Sequence, residues 1–182
     1  MDVAIATGMR PGELRGLKWD CVDLDRGLVT VRRTITKDGE GHEVIADRTK
    51  SKQPRTVAIS PQIVDVLRWH RFRQHERQLA HDDWHAHGIV FDRGDGQFCN
   101  LTTWQRYHKK LCERADVPQI RAHDLRHSYA TALMEANVHP RIVADILGHS
   151  TVQMTLDRYR HVSTSMQRAA LDAIDDVIGE VG

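Results

Sequence analysis

The last third of the chain gathers a tyrosine, two histidines and an arginine at spacings that could serve one reaction. His123-Asp124-Leu125-Arg126 is followed by Leu147-Gly148-His149, and then by Thr155-Leu156-Asp157-Arg158-Tyr159. A phenol is a poor nucleophile at neutral pH, because its ordinary pKa is about 10. Guanidinium and imidazole groups around it favour the attacking form. The same groups take up the extra charge of a phosphodiester transition state. The chemistry on offer is phosphoryl transfer to Tyr159.

Each part also has a plainer reading. His123 and Arg126, three positions apart, project from one face if they share the first turn of a helix. Arg126 would then fork onto phosphate oxygens while His123 exchanges a proton, but an HxxR pair also suits two surface residues of an amphipathic helix. His149 follows a glycine that should end a helix, and Val143 to Ser150 resembles a helix-turn-helix, which would bind DNA without cleaving it. Tyr159 alone reads as a half-buried helix-end tyrosine. Near the N-terminus, Thr7-Gly8-Met9-Arg10-Pro11-Gly12-Glu13-Leu14 sets Arg10 at a loop-to-helix junction. There Glu13 either orients Arg10 or simply pairs with it. Lys50 and Lys52 fall in an expected turn, where a flexible ammonium can protonate a leaving oxygen or merely contact phosphate.

These groups must be held by elements the sequence also marks. Val3 to Ala6 reads as the end of a buried helix stopped at Gly8, and Pro11 suits the first turn of a short helix through Leu17. Strands are expected at Leu28–Val31, Glu43–Ala46 and Arg55–Ile59, with a turn over Lys37–Gly41. Together they predict three short antiparallel strands, with a basic turn between the last two. Ser60-Pro61 starts a helix that should run to about Leu79, with Ile63, Val66, Leu67 and Phe72 at helical spacing. After a loop from His81 to Gly88 and a short extended Ile89-Val90-Phe91, the remainder reads as helical. Helices are expected from Thr102 or Thr103 to Ala115, Asp124 to Ala136, Pro140 to Leu147 and Thr151 to Arg158. In the tail, Met166, Ala170, Ala173, Ile174, Val177 and Ile178 form one apolar stripe.

With 182 residues, 40% hydrophobic and 28% charged, the chain has the balance of one globular domain rather than of a disordered one. No apolar run reaches the roughly 20 residues of a membrane helix. Cys21, Cys99 and Cys112 have no CxxC spacing, which suits free thiols in a reducing cytoplasm. His81, Asp82, Asp83, His85 and His87 read as a polar loop rather than a metal cluster. Net charge is only +1, but Arg32, Arg33, Lys37, Arg48, Lys50, Lys52 and Arg55 crowd one region. That crowd is either a basic face for a phosphate backbone or an ordinary mixed-charge surface.

Taken together, the segments 6–14, His123 to Ser128, Leu147 to Ser150 and Thr155 to Val162 resemble the catalytic domain of the tyrosine recombinases, the phage integrase family. The resemblance covers nearly the whole chain. It implies an α+β, mainly helical fold with a small three-stranded antiparallel sheet. It also implies site-specific DNA cleavage and rejoining through a 3′-phosphotyrosine. By the same resemblance Arg10, His123, Arg126, His149 and Tyr159 are catalytic, and the family's strand-turn lysine falls on Lys50, with Lys52 as the alternative. No cofactor and no metal are implied. The partner would be double-stranded DNA, with no membrane, and a homotetramer would assemble on DNA through the C-terminal helix. The protein would be cytoplasmic and nucleoid-associated. The whole chain would be one catalytic domain cut at its N-terminus, without the helical DNA-clamping domain that usually precedes it. Residues 163–182 would be a tail helix packing on this domain or on a neighbouring protomer. The other functions in view are a topoisomerase-like nicking activity of type IB and a non-catalytic DNA-binding module.

Overall fold

The computed structural model describes residues 2–47 and 53–158. Two short helices open it, α1 (Asp2–Thr7) and α2 (Pro11–Arg15), followed by a 3-10 turn at Trp19–Cys21. Five strands come next: β1 (Val22–Asp23), β2 (Leu28–Val31), β3 (Thr34–Lys37), β4 (Glu43–Ala46) and β5 (Arg55–Ala58). Five helices complete the described chain: α3 (Pro61–Leu79), α4 (Leu101–Arg114), α5 (Ala122–Glu135), α6 (Pro140–Leu147) and α7 (Val152–Arg158).

The architecture is the expected mainly helical one with a three-stranded antiparallel sheet, but the sheet's membership differs. Its order is β1-β2-β5, with Val29 opposite Val57 and Val31 opposite Arg55. The expected strand at Glu43–Ala46 pairs instead with β3, in a separate two-stranded sheet where Ile35 faces Ile45. Lys37 therefore ends a strand rather than starting a turn. Two short strands, β2 and β3, follow each other across Arg32-Arg33 and divide what the sequence presents as one β-rich stretch. One carboxylate helps to tie this hairpin to the helical body. Glu43 accepts from both terminal nitrogens of Arg15 in α2, at 2.8 and 3.1 Å, and from the Leu101 amide that begins α4, at 3.0 Å.

Alternation along β2 and β5 sends Val29, Val31 and Val57 inward against Ile63, Val64 and Leu67 of α3 and Leu14 of α2. Each such side chain, fully buried, is worth about 1.5–3 kcal/mol. A second cluster of Ala130, Met134, Val143 and Leu147 joins α5 to α6. The hydroxyl of Ser60 caps α3 by accepting from the Ile63 amide, with Pro61 at the first helical position. Val66 and Phe72 do not join the core, and Phe72 is 61% exposed. Polar groups complete the inward face of α3 in their place. Gln74 accepts from Trp19 Nε1 at 2.6 Å and donates to the Ile89 carbonyl at 2.9 Å, which fixes under the helix a segment where Ile89 makes only an isolated bridge to Lys18 and the chain then bends. Asn100 caps α4 and moves its start ahead of the expected threonines.

Among the described residues of the basic region, three arginines, Arg32, Arg33 and Arg55, are paired with carboxylates. Arg32 and Arg33 both meet Asp20 at 2.7 Å, and Arg33 also meets Asp47 at 2.9 Å. Hydrogen bonding from Arg33 holds the Asp20 carboxyl well below the usual carboxylate range. The side chain of Arg55 is turned inward and is only 8% exposed. Arg48, Lys50 and Lys52 lie outside the described residues, as do Tyr159 and the expected tail helix.

Candidate active site

Two left-handed glycines build the site. Gly8 (φ +59°) stops α1 and lets the chain reverse into Arg10. Gly148 (φ +64°, ψ +47°) stops α6, and the His149 amide then closes on the Ala144 carbonyl at 2.9 Å. A β-carbon on Gly8 would stand 2.5 Å from Tyr129 Cδ1, so this turn requires glycine for space as well as for φ.

A helix end leaves its final carbonyls without intrahelical partners, and it carries partial negative charge. At the end of α6 three guanidinium groups from three other segments answer three successive carbonyls. Arg55 Nε donates to Ile146 O at 2.7 Å, Arg126 Nη2 to Leu147 O, and Arg10 Nη2 to Gly148 O at 3.3 Å. Arg126, rising from the second turn of α5, is 3% exposed and also donates to Gly8 O at 2.8 Å, tying the two glycine turns together. Its burial excludes a loose surface role and makes it part of the frame.

One carboxylate sits among these cations. Glu13 is 1% exposed and accepts from the Arg10 amide and Arg10 Nη1, both at 2.9 Å. It also accepts from Arg55 Nη1 and Nη2 at 3.0 and 2.7 Å. Burial alone would push this carboxyl up. The hydrogen bonds and charge of Arg55, together with those of Arg10, outweigh that and hold it below the ordinary value. Three guanidinium groups against one carboxylate leave the pocket cationic, which is what a phosphate requires.

His149 leaves the Gly148 turn with its ring set by α7, where Nδ1 lies 2.7 Å from the hydroxyl of the fully buried Thr155. His123 is exposed in the first turn of α5, and its ring meets that of His127 edge-on at 4.7 Å. It borders a cleft of about 580 Å³ that it shares with Pro11, beside Arg10, and with Trp104, Arg106, Lys109 and Arg121. Arg10, Arg126 and His149 thus meet around one turn, and His123 lies on a cleft opening next to Arg10. Two residues of this centre carry no function in the sequence reading, Arg55 and Thr155. A signal for Arg55 exists: it shares the inward face of β5 with Val57, two residues on.

Fold and site together define a mainly helical α+β domain with a cationic pocket at a helix end. The model of the phage integrase family matches residues 1–166, and the chain belongs to that family. A tyrosine recombinase XerC-like protein of Caldanaerobacter subterraneus is 32% identical over 187 residues, covering 96% of this chain and 48% of that protein. The tyrosine recombinase XerA of Thermococcus kodakarensis is 30% identical over 180 residues, covering 95% and 54%. Among solved structures, the Tn1549 transposon integrase in complex with transposon right end DNA superposes with a TM-score of 0.75. That match is at 19% identity and covers 96% of this chain and 57% of the integrase. The chain spans about half the length of the curated relatives it matches.

Proposed function

We propose that this chain carries the strand-cleaving portion of a site-specific DNA recombinase. Tyr159 attacks a DNA phosphodiester. A bond forms between the phenolic oxygen and phosphorus, the bond to the 5′-oxygen breaks, and a 3′-phosphotyrosine remains. Arg10 and Arg126 neutralise the non-bridging oxygens, and His149 donates a hydrogen bond to them. His123 takes the phenolic proton, and Lys50, or Lys52 in its place, returns one to the departing 5′-oxygen. Attack by a second 5′-hydroxyl reverses these steps on a new partner strand. The bond energy is kept in the phosphotyrosine, so the cycle requires neither ATP nor a metal.

The observation that carries the reading is the gathering of Arg10, Arg55 and Arg126 on the last carbonyls of α6, next to a histidine held by Thr155. A guanidinium has five N–H donors, so the carbonyl contacts of Arg126 are compatible with a phosphate contact. Double-stranded DNA as substrate is supported by the family and by the DNA complex of the similar integrase. The experiment is incubation with a nicked suicide duplex bearing the target site of the recombinase. A covalent protein–DNA adduct is expected, insensitive to chelator and abolished by Tyr159→Phe. An adduct that survives Tyr159→Phe would overturn the assignment. Binding without any adduct would point to the DNA-binding module instead.

A further inference from the structure

Arg55 is the cation of the pocket for which the cleavage scheme above has no use. It opens β5 with a side chain 8% exposed, forks onto both oxygens of Glu13 and reaches the Ile146 carbonyl with Nε. One group therefore touches α2, through its buried carboxylate, and α6, one turn short of His149. It also packs on the turn itself, since a β-carbon on Gly148 would stand 3.0 Å from Arg55 Nη1 and 3.1 Å from Cδ.

The electrostatics explain what such a group adds. A buried carboxylate paired with Arg10 alone would form a closed ion pair and hold the guanidinium back from an incoming phosphate. With Arg55 sharing Glu13, the carboxylate still accepts from the Arg10 amide and Nη1, but its charge is already answered. Arg10 stays oriented and remains cationic toward an incoming phosphate. We propose that Arg55 is a positioning residue for strand cleavage: it releases Arg10 electrostatically while Glu13 still aims it, and it fixes the end of α6 that presents His149. The inference rests on the recombinase reading above.

The test uses Arg55→Met and Arg55→Lys in the intact chain. Lysine keeps the charge that folding needs but cannot reach both carboxylate oxygens and the Ile146 carbonyl at once. Three quantities are read: the folded fraction by circular dichroism, the single-turnover adduct rate at saturating nicked duplex, and the Arg10 guanidinium resonances by NMR without DNA. Per folded molecule, the rate at saturation should fall about 10–100-fold in Arg55→Met, as expected for a misaimed group, with little change in duplex affinity. Arg55→Lys should recover part of it. In both variants the Arg10 resonances should shift and broaden. A rate per folded molecule equal to that of the unaltered chain in Arg55→Lys, or Arg10 resonances unmoved by either substitution, would overturn the proposal. Should the unaltered chain form no adduct while its Arg10 resonances still respond to Arg55→Met, the recombinase reading fails and the aiming of Arg10 by Arg55 stands.

Discussion

Replacing Arg126 by methionine should destabilise the domain's centre as well as remove a proposed phosphate ligand. Methionine keeps most of the arginine stem, so the packing at this buried position survives the change. What is lost is a pair of charge-assisted hydrogen bonds, from Nη1 to Gly8 O at 2.8 Å and from Nη2 to Leu147 O. Each bond to a charged group contributes about 1.5–3 kcal/mol, and both carbonyls would be left in a buried site. The expected loss is about 3–5 kcal/mol, or roughly 6–20 °C in melting temperature for a domain of this size. Thermal and urea melts followed by circular dichroism measure it directly. Arg126→Lys should recover less than half, since one ammonium is a poor bridge between two carbonyls on different turns. If Arg126→Met melts within about 2 °C of the unaltered chain, a shift worth under roughly 1 kcal/mol, the two turns do not depend on this residue.

Two further substitutions and conditions probe neighbouring contacts. Thr155→Val keeps the buried volume but removes the hydroxyl 2.7 Å from His149 Nδ1. Stability should fall by about 1 kcal/mol and the single-turnover adduct rate by about 10-fold or more; an unchanged rate would mean that the ring needs no such support. In acid, one buried and one half-buried ion pair should fail together. The Glu13 carboxyl is held below its ordinary 4.5 by Arg55 and Arg10 against the opposing effect of burial, and that of Glu43 chiefly by its hydrogen bonds from Arg15. A carboxyl whose folded pKa is depressed stabilises the fold fully above the unfolded value, and the gain is lost as pH falls through the folded one. Urea melts should therefore show stability declining below about pH 4.5, with a shallower decline in Glu13→Gln; a flat profile there would contradict both pairings.

Local chemistry marks most of the helices in the sequence. Ser60-Pro61 and Gly148 act through their own backbone and caps, so the start of α3 and the end of α6 lie where expected. Pairing between distant strands is another matter. Thr34 to Lys37 follows β2 after only two arginines and runs into the expected turn, and nothing in the local pattern of Glu43–Ala46 says that its partner is β3 rather than the main sheet. The phosphate-site candidates Arg10, Arg126 and His149 are singled out in the sequence by segments that resemble one family's in the same order. Arg55 is not, because it sits in a run of basic residues where composition suggests a surface. Only its alternation with Val57 points inward. Charge counted along a sequence does not distinguish an arginine that faces water from one that answers a buried carboxylate.

The three-way hold of Glu43 on Arg15 and Leu101 fixes where this chain can vary in length. The hairpin it belongs to closes at Lys37 opposite Glu43, and beyond that pair the tip is made by Asp38 accepting from the Glu40 and His42 amides. A β-carbon on Gly39 or Gly41 would meet nothing within 4 Å. Residues gained or lost between Asp38 and His42 alter only the reach of the tip. A gain or loss of one residue at the base would slide Glu43 out of register and strand Arg15 beneath it. Growth of this domain is therefore confined to the tip beyond the Lys37–Glu43 pair, and Glu43 at its edge is the pin that α2 and α4 share.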